Sequence, residues 1–342
     1  MAMAMDKSSA DAYVYVKASG ILARSFVGAK ARELFSVRSL KELWSLIFKK
    51  EVPAVPETML AAALEKEAVS SFVNSYKRLI LNYEKPSPLL VELLRFYDYE
   101  NLKQFGAALC TGQKEIPSYT DISPLNILNY SKWPDIAQVT KNSPLSWYDH
   151  VSTVQNQQMD DYRMDCQYIA ELWKALNHVD SSCREDIRAL FREKFSLENI
   201  LWSLRLRIYY NMDSDEIPMH LSYAEGNAAK NDPIASPALK TLHWATDDWD
   251  TWKHWQFSEF LNPHEEGTVW NIDPRWIAGA YKNHYVEKAR KLFHRYPFTE
   301  CPLVCWFIIK RDELDDICTA SESLRMNIPS SEAMRAAGVQ EV

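Results

Sequence analysis

Phe195-Ser196-Leu197-Glu198-Asn199-Ile200 decides the reading of this chain, because the same acidic-amide pattern recurs with drift in each third of the sequence. The first copy is Tyr97-Asp98-Tyr99-Glu100-Asn101-Leu102 and the third, weaker, is Asp312-Glu313-Leu314-Asp315-Asp316-Ile317. Each is followed by an Ile-Pro pair, at Ile116-Pro117, Ile217-Pro218 and Ile328-Pro329. The copies lie roughly a hundred residues apart or a little more, and repetition on that scale governs the fold before any single motif does. Each copy reads as the start of an apolar-periodic helix, with Asp98 and Ser196 as N-caps and Asn101 and Asn199 bridging a neighbouring turn. Three related helical units predict a scaffold of pseudo-threefold shape rather than an enzyme built around one pocket.

Composition agrees with helices. The 342 residues are 47% hydrophobic and 25% charged, ordinary for a globular chain with ample core. Only 8 glycines are present, against roughly 24 at the usual frequency of about 7%. So few positions for positive φ disfavour hairpin-rich β architectures, and an all-α class follows. A net charge of −7 argues against nucleic acid and anionic lipid as partners. Small basic clusters, Lys49-Lys50 and Lys288, Arg290, Lys291, Arg295, read as solvated helix faces. No run reaches the roughly 18 apolar residues that span a bilayer; Cys301 to Ile309 is about half that length and reads as core. The opening Met1 to Lys7 lacks the apolar region of a signal peptide, so a cytosolic protein is expected. Six scattered cysteines without CxxC spacing read as buried apolar residues, and no zinc site is expected.

Apolar residues recur at helical intervals in Tyr13 to Phe48 (Ile21, Leu22, Phe26; Leu40, Leu43, Trp44, Ile47). Beyond Pro53 and Pro56 a long helix is expected from about Glu57, with Leu60, Leu64, Phe72, Val73, Tyr76, Leu79 and Ile80 on one stripe. Another begins at Leu89. Prolines at 117, 124, 134 and 144 mark Thr111 to Ser146 as a linker, and Tyr223 to Pro237 as a second. Between them, Val151 to Leu176 is amphipathic, and Ser182-Cys183-Arg184-Glu185 has the form of a capping box opening the next helix.

Motifs for chemistry are sparse: no Gly-rich phosphate loop, no GxSxG and no HExxH occurs. An all-α chain with acidic clusters invites a Mg-dependent prenyl-transfer or terpene-cyclising enzyme, which needs carboxylates on successive turns facing one cavity. The nearest candidates are Asp160, Asp161 and Asp165, and Asp247, Asp248 and Asp250. In the DDxxD spacing the last carboxylate would fall at Met164 or Thr251, so solvated faces explain these acids better. Trp244, Trp249, Trp252, Trp255, Trp270 and Trp276 form a core with a wet rim, the alternative being an interface.

From about Tyr13 to Ala337 the chain resembles the C subunit of the bacterial and archaeal V-type (A/V-type) ATPases, equivalent to the d subunit of the vacuolar enzyme. Phe96 to Lys103, Leu197 to Ile200 with Arg205 and Arg207, Ile272-Asp273-Pro274, Lys310 to Ile317 and Leu324 to Pro329 carry the resemblance. It departs from the family in lacking the glycine pair around Gln113 to Asp121 and Ser214 to Tyr223, and in its Trp-rich segment. The resemblance implies a funnel of three similar helical domains, assigned to 8–118, 119–228 and 229–342. It also implies a non-catalytic central-stalk (rotor) component on the cytoplasmic membrane face, whose partners are the stalk of the ATPase head and the ring of ion-carrying subunits. No catalytic, cofactor or metal residue is expected, and no residue is singled out as a partner contact. A partner-binding helical-repeat scaffold is the alternative, with the Mg-dependent enzyme second.

Overall fold

The structure, a computed structural model, describes residues 4–226, 228–265 and 267–339. Among them the expected all-α class holds: thirteen α-helices form and no β-strand does. In chain order they are α1 (Lys7–Leu22), α2 (Arg32–Phe35), α3 (Leu40–Phe48), α4 (Glu57–Ile80), α5 (Pro88–Cys110), α6 (Ile136–Thr140) and α7 (Val154–Ala175). Then follow α8 (Arg184–Tyr210), α9 (Ser236–Thr241), α10 (Trp249–Trp252), α11 (Pro274–Arg295), α12 (Cys301–Met326) and α13 (Ser330–Ala337). Starts are set locally. Asp6, Ser39, Asp135, Thr153, Asp248 and Asp273 each accept a first-turn N–H, and proline sits in the first turn of α5, α9, α11 and α12.

The three signatures do not start helices. They lie inside α5, α8 and α12, each unbroken through its copy. Asp98 and Ser196 therefore cap nothing; both are buried mid-helix. Upstream apolar residues (Leu90, Leu93, Leu94; Ile187, Leu190, Phe191) keep the helical period running into the signature, and this overrides the capping pattern. The capping box at Ser182 also fails: Cys183 is the N-cap residue and its side chain caps no N–H, while Ser182 Oγ donates to Asp180 at 2.7 Å.

Each signature helix runs antiparallel to a long neighbour. Along α5 and α7, Phe96 meets Tyr168, Lys103 pairs with Asp165, and Cys110 Sγ reaches the Ser152 carbonyl. Along α8 and α11, Asp186 pairs with Arg295 and Glu193 with Lys288. α12 has two such neighbours: α11, whose Lys282 pairs with Asp312 and Asp316, and α4, from the opposite end of the chain, where Tyr76 stacks on Trp306 at 5.8 Å and Phe72 meets Phe307 edge-on at 5.2 Å. The two stretches expected as linkers are folded down instead. Leu128, Tyr130, Ile136, Val139, Leu145 and Tyr148 bury a core of their own against Phe105 of α5, and Gly106 leaves room there for the Tyr148 hydroxyl. Tyr223, Ala224, Ile234 and Ala235 are likewise buried, against α8. Their prolines break regular structure without preventing burial.

One lysine fastens the N-terminus to both later thirds. Lys7 Nζ lies 2.9 Å from Asp11, 3.5 Å from Asp180 and 3.8 Å from Glu300. Asp11 and Glu300 are buried, and burial holds the Glu300 carboxyl above its ordinary range even though the Asp180 N–H and Lys7 favour its charged form. Removing the cation leaves two buried acids without it, so Lys7→Met is expected to destabilise the protein by about 1–2 kcal/mol, discounted because the lysine is half exposed. Lys7→Arg should retain most of that stability. Urea midpoints of the three proteins check both statements.

Candidate functional site

What the signatures do is visible at their amides. Asn101 Nδ2 donates to the Thr120 carbonyl at 2.8 Å while its Oδ1 accepts the Thr120 N–H at 2.9 Å. Asn199 repeats this at Ser222, with both distances 2.9 Å. A second bond from each Nδ2 reaches Tyr130 Oη and the Ile234 carbonyl, respectively. These are clamps on a chain segment 19 or 23 residues downstream, not bridges to a neighbouring turn. Asp98 adds to the first clamp by accepting the Ile127 N–H at 2.7 Å and the Tyr130 hydroxyl. Burial pushes its carboxyl up to about 6, although both donors favour the charged form. In the third copy Glu313 accepts the Phe26 N–H at 2.6 Å, and Asp316 holds Lys282 Nζ at 2.8 Å, which in turn reaches the Ala337 carbonyl.

The opposite faces of the same helices enclose a cavity of about 570 Å³. Its walls come from α5, α7, α8, α11 and α12, and each signature or its edge contributes: Phe96, then Phe195 and Glu198, then Asp312 and Asp315. Tyr168, Ile169, Leu172, Tyr281, Tyr285, Phe307 and Ile308 make most of the remainder apolar or aromatic. The acids at the wall all have cations beside them: Asp165 with Lys103, Glu198 with Lys194, Asp312 with Lys282, and Asp315 with Arg311. Arg311 also donates to Tyr97 Oη at 3.2 Å and lies over the Phe96 ring, tying α12 to α5. Burial raises the Asp316 carboxyl to about 7, more than Lys282 offsets. Apolar walls of this size with a paired charged margin suit a protruding element that is itself apolar at its tip and polar at its sides.

The acids weighed for Mg²⁺ do not meet. Asp160 accepts from Ser152, Asp161 from Gln157, and Asp165 alone reaches the cavity. Asp248 caps α10 and Asp250 pairs with Lys253 at the surface. Among the described residues no group of three His, Cys, Asp or Glu side chains is placed to hold a metal ion. The tryptophans are core for the most part: Trp252, Trp255 and Trp270 are buried, Trp244 and Trp249 pack on them, and only Trp276 is largely exposed. The α11 side of the cavity (Ala278, Tyr281, Lys282, Tyr285) escaped sequence reading, although spacing of 3 and 4 across those positions marks it as a single face.

Residues 14–336 match the family described as ATP synthase (C/AC39) subunit. The chain belongs to this family, that of the C and d subunits of V-type ATPases. It is also 29% identical over 326 residues to an uncharacterized protein of Treponema pallidum (strain Nichols), covering 94% of each chain. Among the described residues of this C/AC39 protein, no helix is long and apolar enough to cross a membrane.

Two tests address the site. Asn101→Ala or Asn199→Ala strands a backbone N–H and a carbonyl, and each is expected to cost about 2–4 kcal/mol in chemical unfolding. Asp316 binds its proton more tightly folded than unfolded, so its stabilising contribution is full at low pH and is lost as pH rises through about 7. Stability of the natural protein relative to Asp316→Asn should therefore increase by about 2 kcal/mol from pH 8 to pH 5. A flat difference would mean that the carboxyl stays ionised throughout.

Proposed function

We propose that this protein is the rotor coupler of a V-type ATPase: a non-catalytic component that receives the foot of the central stalk in the 570 Å³ cavity and passes its rotation to the membrane ring of ion-carrying subunits. Family membership supports a place in the ATPase. The observation that carries the coupling role is the cavity itself, lined by the second and third copies of the repeated signature and by Phe96 at the edge of the first. In this reading the helix pairs α5–α7, α8–α11 and α12–α4 are three similar units about a pseudo-threefold axis. Each pair joins helices from two of the domains 8–118, 119–228 and 229–342, so in this reading the domains interlock through the pairs.

Long helices locked to one another transmit torque with little deformation, since packed interiors are nearly incompressible. A coupler needs no bond-making residues. It works from the cytoplasmic face, bound to the ring's exposed loops and without a span of its own.

Detergent-solubilised membranes test the reading directly: the tagged protein should recover ATPase head, stalk and ring proteins. Ile169→Arg places a charge in the apolar wall of the cavity. It is expected to reduce recovery of stalk and head about tenfold, at unchanged helical circular dichroism. Recovery of neither stalk nor ring by the natural protein would overturn the assignment.

A further inference from the structure

A second cavity, of about 240 Å³, lies on the other side of α12, between the end of α1, the end of α3 and the middle of α4. We propose that it binds a phosphoryl oxyanion, either free phosphate or the phosphate of a small monoester. This inference stands apart from the coupling role and needs none of its partners.

The lining combines apolar residues, among them Phe26, Phe48 and Phe72, with a distinct polar group. Arg24, Ser25, Ser71, Ser75 and Lys310 face the cavity together with one acid, Glu313. That acid is already committed: Oε1 takes the Phe26 N–H, and Oε2 takes Lys310. Lys310 gives a second N–H to Ser25 Oγ at 3.0 Å, and its third has no partner among the described residues. Arg24 uses its Nε–H on the Gly20 carbonyl, which leaves the terminal nitrogens of its fork, and no described carboxylate pairs with it. Two cations against one acid give the site a positive excess in a protein of net charge −7. A guanidinium fork, an ammonium and serine hydroxyls together offer the set of donors that a tetrahedral oxyanion accepts. Lys310 is mostly buried, and burial lowers its proton affinity to about 8, so an anion beside it would restore what desolvation removes.

The first repeat shows what fills the corresponding space when no site is needed. There Asp98 stands where Glu313 stands, and the Tyr130 phenol closes over it, stacked on Tyr119 at 4.4 Å and edge-on to Phe105 at 5.6 Å. In the third repeat the side-chain donor to the acid is Lys310, in place of a phenol. Glu313 and Lys310 both line the open cavity.

Isothermal titration of the full chain with inorganic phosphate at neutral pH is expected to show a single saturable site with Kd below about 1 mM. Sulfate should compete, and chloride at matched ionic strength should not. Arg24→Gln alters a surface side chain and should weaken binding about tenfold, with Lys310→Met abolishing it. Affinity should also fall as pH is raised past about 8, where Lys310 loses its proton. Glycerol phosphate separates the sources: binding equal to that of phosphate indicates a monoester ligand, and exclusion indicates the free ion. No saturable heat, or undiminished binding in Arg24→Gln, would overturn the proposal, even if Lys310→Met failed to fold.

Discussion

A buried carboxamide that satisfies both the N–H and the C=O of one distant residue is the constraint on which this fold rests. Asn101 and Asn199 sit at matching places in two long helices, and each fixes a chain segment that has no regular structure of its own. An irregular segment brings unpaired backbone groups wherever it is buried, and those groups need partners from elsewhere. A primary amide carries a donor and an acceptor side by side and so serves both at once without charge. That is why the proline-rich stretch after α5 and the Asn-rich stretch after α8 can lie against the core. The third copy solves the same problem with acids. Glu313 and Asp316 use a backbone N–H and a lysine, so this closure rests on carboxyl groups where the others rest on a carboxamide.

The same helices carry a second task on the face turned away from these clamps. Their inner residues cannot fill the space between α5, α7, α8, α11 and α12, and the void persists because the outer contacts hold the helices apart. Ion pairs at its margin satisfy each acid without closing the opening. Arg311, in contact with Tyr97, Phe96 and Asp315, joins the first signature to the third across it.

Much of this was legible in the residues. Scarce glycine and the Glu57–Ile80 and Val154–Ala175 stripes are local signals, and they gave helices near the expected bounds. The recurrence was real, but its meaning was not local. Asp98 and Ser196 have the chemistry of N-caps, and only tertiary partners such as Tyr130 and Ile127 reveal why a carboxylate is tolerated mid-helix. The linkers were misjudged for a related reason: proline density reports broken backbone periodicity, whereas burial depends on side chains such as Leu128, Ile136 and Tyr148. The cavity was legible least, since a void belongs to the spacing of five helices and to no one segment.

The partnership of α4 with α12 has a consequence for biosynthesis. Phe72 and Tyr76 leave the ribosome early, yet Trp306 and Phe307, which cover them, are made more than 200 residues later. At ordinary elongation rates of about 5–20 residues per second, that aromatic face waits on the order of tens of seconds. During this interval a nascent chain offers chaperones a sticky surface, and a truncated product lacking its last fifth would never lose it.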